Sequence, residues 1–211
     1  MNIFMARVKL NCILVGAFLL LPGSLLGQNP GTITGTVTVR GLRNASDVVI
    51  YIDKISDKNF APPEKHPVMD QHDLKFVPHV LPILVGTSVD FPNSDEVAHN
   101  VFTRSEVGGK FNLGQYPKGT VKTVAFSKPG VIPLGCNVHA EMSAYIVVLE
   151  TPYFAVTERK PGQRKGQYTI ENVPPGTYVL KAWHRKAKEA EQTVVVPASG
   201  TVTADFALRR K

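Results

Sequence analysis

Cysteine is nearly missing from this 211-residue chain: Cys12 and Cys136 are the only two. Cys12 falls inside an amino-terminal apolar run that reads as a cleavable leader, so the processed chain keeps a single thiol. That excludes an intramolecular disulfide and a metal centre bridged by two thiolates. Long apolar runs are scarce as well. The one from Cys12 to Leu21 is about half of the roughly 20 residues that a membrane span needs, and no later run is long enough to cross. Helical periodicity is almost absent, which leaves alternating and β-branched segments. Histidine is sparse, and His66, His72, His79 and His184 are scattered rather than paired.

What is present begins with the leader. Residues 1–27 carry Arg7 and Lys9, then the apolar run, then Pro22-Gly23-Ser24-Leu25-Leu26-Gly27, the three-part pattern of a secretory signal. Cleavage is expected after Gly27, with no Cys directly following it for lipoprotein attachment, and the expected location is the periplasm or another exported compartment. Loss of Arg7 and Lys9 lowers the formal charge from +7 to +5. The charge is unevenly spread: residues 151–211 hold eleven Lys and Arg against five acids, whereas residues 70–150 hold six against eight. The basic runs at Arg164-Lys165, 181–188 and 209–211 read either as a solvated face or as contacts for something acidic. That partner would be an anionic lipid surface, an acidic envelope polymer or an acidic redox protein. Export argues against nucleic acid.

A lone thiol in an exported protein faces oxidation unless it is protected, and metal ligation is one protection. Cys136 lies in Gly135-Cys136-Asn137-Val138-His139-Ala140-Glu141-Met142, which sets a thiolate, an imidazole and a thioether at three-residue steps. Soft sulfur beside imidazole selects copper over magnesium or calcium, and two His, one Cys and a distant Met make a blue electron-transfer site. The second His must come from an earlier strand, and His99, in Asp95-Glu96-Val97-Ala98-His99-Asn100-Val101-Phe102, is the candidate. The bland reading is a structural Cys and His, since a buried Cys commonly serves as a small hydrophobe. Context favours the metal. Residues 121–126 and 131–134 read as strands before the loop and 145–149 as a strand after it. Cys136 then sits at a strand end, and the returning chain carries His139 and Met142 to the same point.

Residues 69–150 resemble the cupredoxins, the plastocyanin and amicyanin group, through an ordered set of motifs. These are Phe76-Val77-Pro78, Val85-Gly86-Thr87-Ser88-Val89-Asp90-Phe91, Asn93-Ser94-Asp95, His99-Asn100-Val101, Pro129-Gly130, and Cys136 through Met142. The two-residue gap between His139 and Met142 is closest to amicyanin. The resemblance implies one copper per chain, with His99, Cys136 and His139 as equatorial ligands and Met142 as the axial one. It also implies that Asn100 braces the ligand loop from behind and that His139 is the electron port. Gly135 and Ala140 stand where many of these proteins carry an aromatic residue and a proline. Both changes are expected to alter solvent access and hydrogen bonding near the sulfur, and so the potential. Glu141 adds a carboxylate as the lesser alternative to Met142 for the axial position. Some relatives are labelled methylamine-utilisation proteins, which points toward an amine dehydrogenase.

Residues 32–39 alternate strictly, with Ile33, Gly35, Val37 and Val39 on one face and four threonines on the other, as a half-buried strand does. Residues 47–55 give a second strand, and 58–67, with Pro62-Pro63, a linker. After residue 150 the chain reads as β again at 168–173, 178–183, 192–196 and 201–208. This tail resembles the carboxypeptidase regulatory-like modules, small sandwiches of transthyretin-like or carbohydrate-binding-like type, whose first strand is similar to residues 31–40. The expected fold is therefore all-β: a Greek-key cupredoxin barrel plus a small sandwich. In the favoured layout residues 28–60 begin the sandwich, 68–150 are an inserted copper domain, and 151–211 complete it. The rival layout makes 31–150 one enlarged barrel followed by a short sandwich.

The leading functional reading is an exported mononuclear type 1 copper protein that passes single electrons between periplasmic partners such as c-type cytochromes or a dehydrogenase. No catalytic residue is expected. Four ligands leave no open position on the metal, and the Cys136–His139 pair lacks an orienting third group or an oxyanion glycine cluster. The alternative is a cell-envelope module whose sandwich binds a glycan through Trp183-His184, Tyr168 and Tyr178, the copper being structural or sensory. Copper storage or delivery is a third reading.

Overall fold

Alternation in β1 (Gly31–Val39) buries Ile33, Val37 and Val39 and leaves the threonines half-buried on the other face, in a computed structural model that describes residues 29–158 and 165–211. The expected leader, with Cys12, lies outside the described residues. β2 (Val49–Ile52) is buried on both faces. Neither strand pairs with its neighbour in sequence. Nine strands come next: β3 (Asp70–His72), β4 (Lys75–Val77), β5 (Val80–Leu84), β6 (Ser88–Pro92), β7 (His99–Thr103), β8 (Phe111–Tyr116), β9 (Val121–Ala125), β10 (Gly130–Gly135) and β11 (Ser143–Leu149). Six more complete the chain: β12 (Phe154–Val156), β13 (Gly166–Val173), β14 (Gly176–Trp183), β15 (Ala190–Val196), β16 (Thr201–Thr203) and β17 (Phe206–Leu208). The fold is all-β, and among the described residues no helix is long and apolar enough to cross a membrane.

β1 is antiparallel to β13 and parallel to β16 and β17, while β2 lies between β12 and β14, with β15 beyond. The early strands thus take all their partners from residues 154–208. The strands between them pair among themselves. A five-stranded sheet runs β5-β11-β10-β7-β8, faced by the β6–β9 pair and the β3–β4 hairpin. Each group has its own apolar core. Ile33, Ile50, Ile52, Tyr168, Leu180 and Phe206 belong to the first, and Met69, Phe91, Val101, Phe126, Ile132 and Ile146 to the second. A third cluster joins them: Val80, Val147 and Leu149 on the outer face of the five-stranded sheet meet Val49, Tyr51 and Trp183.

The expected strand 201–208 is broken in two, for a local reason. Asp205 turns its carboxylate onto the backbone N–H of Thr36 at 2.6 Å, and the Tyr168 hydroxyl donates to the Ala204 carbonyl at 2.5 Å. These bonds take the Thr36 N–H and the Ala204 carbonyl out of the ladder, while the Ala204 N–H still donates to the Thr34 carbonyl at 2.8 Å. The opposing residue is Gly35, where a Cβ would run into the Ala204 carbonyl. Glycine is required there by close approach rather than by conformation.

Because β1 and β2 lie at the centre of the two sheets they enter, residues 151–211 produced alone lack the central strand of each. That fragment is expected to show no cooperative thermal melt by circular dichroism, whereas residues 68–150 are expected to melt cooperatively. A cooperative transition in the tail fragment would favour the sequential layout.

Candidate metal centre

The site is built where two strands end together. β10 stops at Gly135, β11 starts at Ser143, and the seven residues between form a loop closed at its neck by the Cys136 N–H, which donates to the Met142 carbonyl at 3.2 Å. Inside the loop the Met142 N–H donates to the His139 carbonyl at 3.1 Å, which turns the chain back. His99 opens β7, whose residue Phe102 pairs with Gly135. Ligand-bearing side chains from residues 99 and 136–142 therefore meet at one end of the five-stranded sheet.

The geometry is compact. His99 and His139 present their Nδ1 atoms to each other at 3.0 Å, and one nitrogen of each and the Cys136 Sγ all lie within 4.8 Å of one another. Nitrogens bound to one metal at about 2.0 Å each can be at most about 4 Å apart, so this spacing fits a shared ion. His99 is fully buried, Cys136 and Met142 share the barrel core, and His139 is half-exposed beside Val138, which is 42% exposed. Glu141 is exposed, while its neighbour Met142 is buried, so the thioether and not the carboxylate faces inward.

Two supports reach the loop from behind. The Asn100 Oδ1 accepts the Asn137 N–H at 2.6 Å, and its Nδ2 donates to the Asn112 Oδ1 at 2.9 Å, so β7 and β8 together pin the residue after Cys136. The other support fills the place of the aromatic residue that many cupredoxins carry before the Cys. The Phe102 ring lies over Gly135, where an added Cβ would stand 3.0 Å from the ring. The aromatic cover of this strand end thus comes from the neighbouring strand.

Asp95, which the sequence motifs include without assigning it a role, is the further functional residue. Its Oδ2 lies 2.8 Å from the His99 Nε2 and also accepts the Leu74 N–H at 2.9 Å, while its Oδ1 accepts the Asp73 N–H at 2.7 Å. A carboxylate at Nε2 requires a proton there, which leaves the Nδ1 lone pair free to point into the site. Burial works against the charged form, but the Leu74 and Asp73 N–H groups and His99 outweigh it and hold the carboxyl below its usual range. Asp73 and Leu74 both have positive φ, 51° and 55°, which aims their N–H groups at one carboxylate. The only sequence trace of this clamp is the spacing of four between Asp95 and His99. His72, Asp73 and Asp95 also come within metal-binding reach of one another, but His72 and Asp73 are exposed.

The remaining histidines are not brought to the site. His66 lies 3.0 Å from Asp90, His79 lies 2.8 Å from Asp47, and His184 is buried, where desolvation and the Arg185 charge lower its pKa.

No family model matches the chain, and no curated protein does. Solved structures that it is similar to include a reduced amicyanin variant, at 25% identity over 47% of this chain and 97% of that one, with a TM-score of 0.38. Another is a purple cupredoxin from Nitrosopumilus maritimus, at 24% identity over 39% and 98%, with a TM-score of 0.36. A third is a copper-containing nitrite reductase from Thermus scotoductus SA-01, at 23% identity over 55% of this chain and 28% of that one, with a TM-score of 0.40.

The clamp on His99 can be tested without metal. Asp95→Asn removes a charged acceptor of three hydrogen bonds and places an amide donor opposite another donor, so the metal-free protein is expected to lose about 1.5–3 kcal/mol in urea unfolding. Nitrogen-15 spectra of the imidazole are expected to show that His99 no longer holds its proton on Nε2 alone. An unchanged tautomer would show that Asp95 does not orient the ring.

Proposed function

We propose that this chain is an exported, cupredoxin-type copper protein that carries single electrons between other exported proteins. The observation that carries the reading is the meeting of His99 Nδ1, His139 Nδ1 and Cys136 Sγ at one end of the five-stranded sheet, with three of the four expected ligands buried and one half-exposed. Bound copper would supply a one-electron couple held by two imidazoles, a thiolate and the Met142 thioether. Everything else is done by the chain. Asp95 and the 73–74 turn fix the His99 ring, Asn100 fixes the loop after Cys136, and Phe102 covers the strand end before it. Donors held this firmly need little rearrangement between the two charge states of a redox couple, which is what an electron carrier requires.

His139 is the proposed port. It is the least buried of the four, and Val138 beside it offers an exposed apolar contact. Proposed partners are a c-type cytochrome or a dehydrogenase in the same compartment, and no residue is given a catalytic role. The glycan-binding alternative has less to stand on. Trp183 and Tyr168 are buried and the Tyr178 hydroxyl is engaged by the Pro174 carbonyl, so the aromatic residues named for stacking are not presented together.

Copper-loaded protein is expected to bind one ion per chain and to show an intense blue thiolate-to-copper absorption. Cys136→Ser is expected to abolish that colour while the circular dichroism of the fold survives. A colourless Cu(II) complex of the unaltered protein would remove the reading. Met142→Leu is expected to keep the colour and raise the reduction potential, because the thioether is a weak donor that favours Cu(II); voltammetry reads this directly.

A further inference from the structure

Two basic runs that are far apart in sequence are made into one surface by backbone pairing. The Lys188 N–H donates to the Arg209 carbonyl at 2.8 Å and the Lys211 N–H to the Lys186 carbonyl at 3.1 Å, with Ala187 and Arg210 forming an antiparallel bridge. The Arg40 N–H donates to the Leu208 carbonyl at 2.9 Å, and the Arg210 side chain passes beside Gly41. Arg40, Arg185, Lys186, Lys188, Arg209 and Arg210 are all exposed at this end of the sandwich, and among the described residues none of them is ion-paired. The nearby acids are already engaged. Asp47 bonds to His79, Glu189 accepts the Tyr51 hydroxyl, and Asp53 and Glu191 face Lys181.

The position of this surface gives it meaning. Trp183, two residues before Arg185, packs its ring 5.5 Å from that of Tyr145, which stands at the start of β11 only three residues after Met142. The basic end of the sandwich and the ligand loop of the barrel therefore lie at the same end of the molecule. We infer that the basic end is a docking surface for the acidic face of a partner protein, held so that the partner's edge reaches His139 and Val138. A membrane fits less well, because none of the large exposed apolar side chains belongs to residues 184–188, 209–211 or 40–43, and an interfacial anchor needs them. Charge of one sign beside a small apolar contact steers a complementary partner and adds orientation, which is the usual work of such a surface. The location of the partner's redox group rests on the electron-transfer reading; the binding itself does not.

Metal-free full-length protein titrated with an octaglutamate peptide in 20 mM salt tests the binding. Amide shifts in nitrogen-15 spectra are expected at residues 185–188 and 209–211, with affinity falling at least tenfold at 200 mM salt. The Arg185→Glu/Lys186→Glu/Arg209→Glu/Arg210→Glu variant, whose altered side chains are all exposed, is expected to lose at least tenfold at low salt. Single Lys186→Glu and Arg210→Glu variants should each lose part of that. No binding at low salt, or binding that these changes leave intact, would overturn the inference, as would association with phosphatidylglycerol vesicles in the absence of peptide binding. In the copper-loaded protein the fourfold variant is expected to slow oxidation by anionic hexacyanoferrate(III) several-fold relative to oxidation by a cationic cobalt(III) complex. A colourless copper complex would remove the electron-transfer reading and leave the peptide result standing.

Discussion

The Thr151 hydroxyl donates to the Ile52 carbonyl at 2.6 Å and the Ile52 N–H to the Tyr153 carbonyl at 3.0 Å, and the whole architecture hangs on this clasp. It joins the point where the chain leaves β2 to the point where it returns, nearly a hundred residues later. A few residues further on, the Thr157 hydroxyl receives the Val48 N–H at 3.0 Å and donates to the Ala45 carbonyl at 2.5 Å. Closing so long a segment costs conformational entropy that grows only slowly with length. The cost is offset because β1 and β2 otherwise bury Ile33, Val37, Ile50 and Ile52 against nothing. The clasp also sets the outer face of the five-stranded sheet against β2 and β14, which is why a third apolar cluster exists at all.

The candidate metal centre depends on that arrangement only at its margin. Its candidate ligands come from β7 and from the loop between β10 and β11, both inside the segment between β2 and β12, and the supports at Asn100, Phe102 and Asp95 lie there too. What the outer strands add is position. By holding Trp183 against Tyr145 they bring the end of β14, two residues before Arg185, to the strand that follows the 136–142 loop. Residues 70–150 are mildly acidic and residues 151–211 basic, so the two parts of the chain carry opposite net charge.

Several strained or crowded positions fall on these same connections. The 73–74 turn holds two residues other than glycine at positive φ and offsets that strain by giving both N–H groups to Asp95. Gly35 and Gly135 are small because the Ala204 carbonyl and the Phe102 ring occupy the space a side chain would need. In each case the local sequence is set by a neighbour that is distant along the chain.

Periodic and local features were legible along the chain alone. Alternation marked β1, since period two needs no partner to be read, and the all-β class came from the lack of helical spacing. The three-residue steps of Cys136, His139 and Met142 marked the loop, and those residues do occupy one loop between two strands. Features that depend on register or on close approach exist only in the folded chain. The break at residues 204–205 comes from Asp205 bonding across to Thr36. The Phe102 cover over Gly135 comes from a single cross-strand pairing. The Asp95 clamp needs a hairpin tip folded against a loop about twenty residues away, and the basic end needs an isolated bridge between residues 187 and 210. None of these leaves a pattern along the chain, because each is a contact between segments whose spacing in sequence carries no information about their spacing in the fold.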